Sequence, residues 1–392
     1  MKKLILPGLF LLVFLACSKE EQIQSCNTDS LTIEIPAPQD LDDGWKVNSL
    51  KRSGMNSRHV QDMIDEIESW PEHHFEGILI VKEGQLIFEK YFPGYDFNWN
   101  NINQQGNPVN FGPETRHFLA SESKSVTSLL FGIAVDKGLI TNLDAKIKSY
   151  YETEYPGLLQ GEKVDITIRQ LLTMSSGLSW DEWSAGANDS YNLFQADDPI
   201  RFILNLPLQY TPGTRFHYNS GGTNILGDLI HTTSGITLRE FARQNLFSRL
   251  GITDWEWKAI RNTDLFASGG LYLRPRDMAR IGQLVLNQGV WKGRRIISKD
   301  WIKESIQSRI VPTEFGLGTG YGYQWWLNEF HYREQSYPVV FSAGWGEQMM
   351  YIFPEEKTLI LFFGSYYFHG PRQSVNSLGT FYMIFEQFSR YQ

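Results

Sequence analysis

The sequence predicts an α+β fold in which one antiparallel sheet is built from both ends of the chain, with a mainly helical lobe inserted between them. Apolar runs of strand length cluster at 78–81 and 86–91, and again at 339–343, 348–353 and 358–363. The long middle, about 144–265, is helical and loop-like. Amphipathic segments flank the strands at both ends, so terminal helices covering a single sheet is the simplest packing.

In chain order, Lys2 and Lys3 precede an apolar stretch over 4–16, too short to cross a hydrocarbon layer and shaped like an export signal. It ends at Ala16-Cys17, a small residue before a thiol, which resembles a bacterial lipobox. That resemblance implies cleavage before Cys17, lipidation of Cys17 and a lipid anchor in the bacterial cell envelope. Phe14 departs from the usual aliphatic residue, while Ser18-Lys19-Glu20-Glu21 resembles the surface-export signal of some Bacteroidetes lipoproteins. Residues 1–16 then read as a signal peptide, 17–43 as a polar tether containing Pro36 and Pro38, and 44–392 as the folded body. With Cys17 lipidated, Cys26 is the one remaining thiol, and no internal disulfide supports the fold.

Val60, Met63, Ile64 and Ile67 recur at helical spacing after Asn56. Lys82-Glu83-Gly84-Gln85 joins the first two strands as a hairpin, and Pro354-Glu355-Glu356-Lys357 turns between the last two. A final amphipathic stretch spans 374–388. The formal net charge is −8 without a block of Lys and Arg, which argues against a nucleic-acid partner.

The chemistry centres on Ser121-Glu122-Ser123-Lys124, which opens an apolar helical run containing Leu129, Leu130, Ile133 and Ala134 and closed by Lys137-Gly138. Residues three apart share a helix face, so the Ser121 hydroxyl and the Lys124 amine can meet. A serine is a poor nucleophile until a base takes its proton, and a lysine is that base only when burial or positive neighbours lower its pKa. Every other Lys in the chain lacks a Ser three residues earlier. Farther on, Tyr218-Asn219-Ser220 lies at a Gly-rich turn ahead of a helix expected from about Ile225. Ser342-Ala343-Gly344-Trp345 links two predicted strands where glycine permits close approach, and backbone N–H groups there can face an oxyanion.

These motifs, in this order, resemble the serine β-lactamase and penicillin-binding superfamily, in its branch of class C-like hydrolases and esterases. Leu171-Leu172-Thr173-Met174-Ser175-Ser176-Gly177-Leu178, Gly269-Gly270-Leu271-Tyr272-Leu273-Arg274-Pro275-Arg276-Asp277 and Tyr321-Gly322-Tyr323-Gln324-Trp325-Trp326 extend the resemblance over about residues 50–365. It implies a β-lactamase/transpeptidase-like fold and a transient acyl-enzyme on Ser121, with Lys124 as base and Tyr218 as proton relay. It also implies oxyanion donors in the backbone N–H groups of Ser121 and Trp345, substrate contacts at Ser220, Ser342, Gly344 and Trp345, and no cofactor or metal.

Two departures bear on the substrate. Ser220 replaces the Asn of Y-x-N, and Ser342-Ala343-Gly344 replaces a strand motif whose basic and hydroxyl residues hold a substrate carboxylate. A small ester or amide is therefore expected, and oligomer or short-amide hydrolysis, as in the related 6-aminohexanoate-dimer hydrolases, is one form this takes. A D-alanyl-D-alanine carboxypeptidase or β-lactamase is the enzymatic alternative, and a surface binding protein retaining the fold is the other. An anchor from Arg333 or Arg372 would favour the former.

Lys357-Thr358-Leu359 lacks the Gly of a K-T-G motif and falls on the next strand. His73-His74 has no zinc-type spacing around it, and no G-x-S-x-G elbow occurs. His217 is expected to be structural. Of Trp180, Trp183, Trp326 and Trp345, only Trp345 is placed at the cleft by a motif.

Overall fold

The computed structural model describes residues 34–367, apart from 71–73, 103, 185, 187, 262 and 333. The export signal, Cys17, Cys26, His73, Arg333, Arg372, the 374–388 stretch and the tether before residue 34 lie outside the described residues. No described helix is long and apolar enough to cross a membrane.

Eight strands form the main sheet: β1 (Lys46–Val47), β2 (Phe75–Lys82), β3 (Gln85–Tyr91), β4 (Gly320–Tyr321), β5 (Trp326–Tyr332), β6 (Gln335–Gly344), β7 (Gln348–Phe353) and β8 (Thr358–Gly364). Their spatial order is β1-β3-β2-β8-β7-β6-β5-β4. Only the short β1–β3 pair is parallel. The two ends of the chain thus meet at the centre, where Ile80 of β2 lies opposite Ile360 of β8. The β2–β3 turn places Glu83 and Gly84 at φ 50° and 75°, the left-handed geometry that matches the twist of a two-residue hairpin.

The central strands are continuous apolar runs because both of their faces are buried. Leu79, Val81, Leu359 and Leu361 belong to one cluster with α2 (Ser123–Asp136) and α4 (Pro275–Leu286). Their neighbours Ile78, Ile80, Ile360 and Phe362 belong to another with α1 (Ser57–Ser69), through Val60, Met63, Ile64 and Ile67. Period-two alternation thus feeds two cores on opposite faces of one sheet. Asn56 caps α1 by accepting the Arg58 N–H.

Between Lys148 and Leu250 the chain forms short helices around α3 (Ser220–Ser234). This helix begins at Ser220, five residues earlier than its expected start near Ile225. Gly221 and Gly222 read as a turn but lie inside the helix, and a Cβ on Gly221 would come within 2.8 Å of the Trp180 ring. A further three-stranded sheet, His117–Phe118, Leu271–Leu273 and Trp255–Trp257, has strands too short to register as apolar runs.

Candidate active site

Ser121 sits in a single 3-10 turn, Ala120–Glu122, that leads directly into α2. Ala120 is held at φ 46°, a sparsely populated conformation for a residue with a Cβ, so the turn is over-determined by its surroundings. Those surroundings are specific. The Leu119 N–H donates to Leu271 O at 2.9 Å, and Ser123 Oγ donates to Ala120 O at 2.7 Å. Ser125 Oγ and Thr127 Oγ1 donate to the carbonyls of Gln324 and Ala267.

Lys124 is 3% exposed, and its Nζ donates to Ser121 Oγ at 2.8 Å and to Ser268 O at 2.9 Å. Burial lowers its pKa to about 8, against the opposing pull of the Glu182 carboxylate. The Ser268 peptide is itself fixed by Asn224 of α3, whose side chain accepts the Ser268 N–H and donates to Ser268 Oγ.

Tyr218 immediately precedes the α3 cap. Asn219 Oδ1 accepts the Gly222 N–H at 2.9 Å, and the Tyr218 N–H donates to Glu314 at 3.0 Å. The ring centroid of Tyr218 lies 5.0 Å from Lys124 Nζ, the atom that donates to Ser121 Oγ. Burial, then the field of Glu182, raises its pKa well above the usual value, so the phenol carries its proton at neutral pH. Ser121, Lys124 and Tyr218 are therefore brought together from two segments of the chain.

The end of β6 closes the other side. A Cβ on Gly344 would meet Leu119 O at 2.3 Å, so glycine lets this strand press its backbone against the turn carrying Ser121. Trp345 follows, 41% exposed, its ring edge-on to Phe97 and Tyr367.

The other expected substrate contacts are differently engaged. Ser342 is 1% exposed, and its hydroxyl donates to Glu122 at 2.6 Å. The Ser220 hydroxyl lies 2.6 Å and 2.8 Å from the two carboxylate oxygens of Glu182, which also accepts the Trp180 indole N–H. Trp180 and Trp326 are buried, whereas Trp183 and Trp345 are exposed. His217 contacts Glu314 at 2.9 Å, away from the Ser121–Lys124 pair. No group of three or more metal-binding side chains occurs among the described residues. Sequence reasoning missed Glu182, Asn224, Ser268 and Glu314, none of which belongs to the motifs that located Ser121.

Comparison with known proteins agrees with this architecture. The chain is 27% identical over 273 residues to the 6-aminohexanoate-dimer hydrolase of Paenarthrobacter ureafaciens, a match spanning 64% of each protein and so just under two thirds of that relative. It is 30% identical over 189 residues to the lovastatin esterase of Penicillium rubens, covering 44% of this chain and 47% of the esterase. Among solved structures, a family VIII carboxylesterase superposes with a TM-score of 0.64 at 16% identity, covering 86% of this chain and 97% of that one. A penicillin-binding protein from Bacillus halodurans gives 0.59 at 17% identity, with 85% and 98% covered. The Beta-lactamase family pattern matches residues 57–371, the span that holds every strand from β2 to β8 and all of the site above, and the chain belongs to that family.

Proposed function

We propose that the protein is a serine hydrolase acting on a small neutral ester or amide through an acyl-enzyme. The observation that carries this reading is the 2.8 Å contact between Lys124 Nζ and Ser121 Oγ, made by a lysine whose burial lowers its pKa to about 8. At that value a useful fraction of Lys124 is neutral near physiological pH and can accept the Ser121 proton as the hydroxyl attacks. The backbone N–H groups of Ser121 and Trp345 would stabilise the oxyanion, and Tyr218 would hand a proton to the leaving group. Water then attacks the acyl carbon, and Ser121 is regenerated.

The preference for a neutral substrate is supported by Glu182 and Ser342. The Glu182 carboxylate acts electrostatically on both Lys124 and Tyr218, and Ser342 brings no positive charge. A substrate anion would gain no ion pair from either residue. A fluorescent phosphonate should label wild-type protein at Ser121, while Ser121→Ala should lose both labelling and ester hydrolysis with unchanged melting. Equal turnover by that variant would overturn the assignment. Attachment to the cell envelope through a lipid on Cys17 is part of the same proposal, on the sequence resemblance given above. Cys17→Ser should move the protein from the membrane to the soluble fraction, and retention in the membrane would refute the anchor.

A further inference from the structure

Beside Tyr218 the protein exposes aromatic surface that its core does not require. Trp183 is 60% exposed and Phe315 is 46% exposed. Their ring centroids are 5.3 Å apart, and those of Phe315 and Tyr218 are 5.6 Å apart, both edge-on; Trp183 and Tyr218 lie at 6.3 Å. The three rings make one wall, buried at Tyr218 and open to solvent at the other two.

The segment that delivers Phe315 is held in place at a conformational cost. Phe315 has φ 66°, a left-handed backbone that a bulky side chain rarely adopts, and Gly316 follows at φ 62°. The preceding residue, Glu314, fastens the segment by accepting the Tyr218 N–H at 3.0 Å and by its contact with His217 at 2.9 Å. A strained, solvent-exposed aromatic ring pinned against a site tyrosine is a feature for a ligand rather than for packing.

We infer that Trp183 and Phe315 form the subsite for the leaving group, and that the protein favours esters and amides whose leaving group is aromatic or bulky and apolar. The inference rests on the hydrolase reading above. In acylation the bond from Ser121 Oγ to the acyl carbon forms, and the bond from that carbon to the leaving oxygen or nitrogen breaks. The proton released by Ser121 to Lys124 reaches the leaving atom through Tyr218. The leaving atom therefore faces the Tyr218 phenol, and the group attached to it extends along the rings packed on Tyr218. Trp345 belongs to a different cluster, with Phe97 and Tyr367, at the strand edge beside Ser121.

The test compares benzyl and ethyl esters of one acid, two alkoxide leaving groups of similar basicity. Wild type should favour the benzyl ester in kcat/KM by about tenfold or more, the factor that about 1.4 kcal/mol represents. In Trp183→Ala/Phe315→Ala the benzyl-to-ethyl ratio should fall about tenfold. Phe315→Gly, which suits the left-handed backbone, should lower the ratio without lowering the melting temperature, separating loss of the ring from loss of the fold. A ratio unchanged in both variants, while phosphonate still labels Ser121, would overturn the subsite alone. Collapse of the ratio in Trp345→Ala instead would overturn it as well, by placing the leaving group at the strand edge. Absence of labelling in wild type would overturn the hydrolase reading and this inference with it.

Discussion

Replacing Glu122 by Gln is expected to stabilise the protein at neutral pH, although the residue adjoins Ser121. Glu122 is 1% exposed, and its Oε1 accepts the Ser342 hydroxyl at 2.6 Å. Burial pushes its pKa from 4.5 up to about 8, with the Ser342 bond offsetting only part of that rise. Between those values the folded protein holds a proton that the unfolded chain has released, so stability falls as pH rises. The contribution is whole below 4.5 and is lost as pH climbs through about 8. At about 1.4 kcal/mol per pH unit, the cost reaches about 3 kcal/mol at pH 7 and about 5 kcal/mol at its limit. Glutamine keeps the shape and can accept the Ser342 hydroxyl, but it does not ionise. Urea midpoints for wild type and Glu122→Gln should coincide near pH 4 and separate steadily towards pH 8, with the variant the more stable. Other buried acids are common to both proteins and cancel in the difference. Parallel pH dependences would refute the argument, because they would mean that Glu122 is already ionised, or already solvated, in the folded state.

Other expectations follow from the same geometry. Lys124→Arg should be inactive, since a guanidinium keeps the proton that the base must lose. In wild type kcat/KM should rise with pH as Lys124 deprotonates, half-maximal near its pKa of about 8, and a flat profile with a slow chemical step would exclude Lys124 as the base. Tyr218→Phe should lower the rate by about two to four orders of magnitude, the range for one general acid–base group; near-wild-type turnover would make Tyr218 a packing residue. Nitrocefin should be a poorer substrate than a p-nitrophenyl acyl ester, because a missing charged hydrogen bond weakens carboxylate recognition by about tenfold to over a hundredfold. Ser342→Lys/Ala343→Thr should narrow that gap, whereas a wild-type preference for nitrocefin would move the β-lactamase or carboxypeptidase alternative ahead.

The strands of both chain ends were legible because burial on two faces leaves apolar runs that tolerate few other residues. Ser121 and Lys124 were legible because a helical spacing of three is local information. Glu182 was not: it acts on Lys124 and Tyr218 from a distant loop, held there by Ser220 and Trp180. Glu122 read as a spacer inside S-x-x-K, and only the approach of β6 gives its carboxyl a partner in Ser342. The start of α3 was misplaced because a glycine pair signals a turn in isolation. Here Gly221 instead answers to the Trp180 ring, a tertiary constraint with no trace in the local pattern.

The pairing of β2 with β8 also governs how the molecule comes into being. Ile80 finds Ile360 only after every segment between them has been made, and α2, the helical lobe and α4 all lie within the loop which that contact closes. Closing so long a loop is entropically costly, and such non-local pairing slows folding. Until β8 docks, β2 presents an open, apolar edge, and β6 has no complete sheet from which to press Gly344 against the Ser121 turn. The nascent chain thus holds Ser121, Lys124 and Tyr218 before the site that joins them is assembled, and the complete site should form late and all at once.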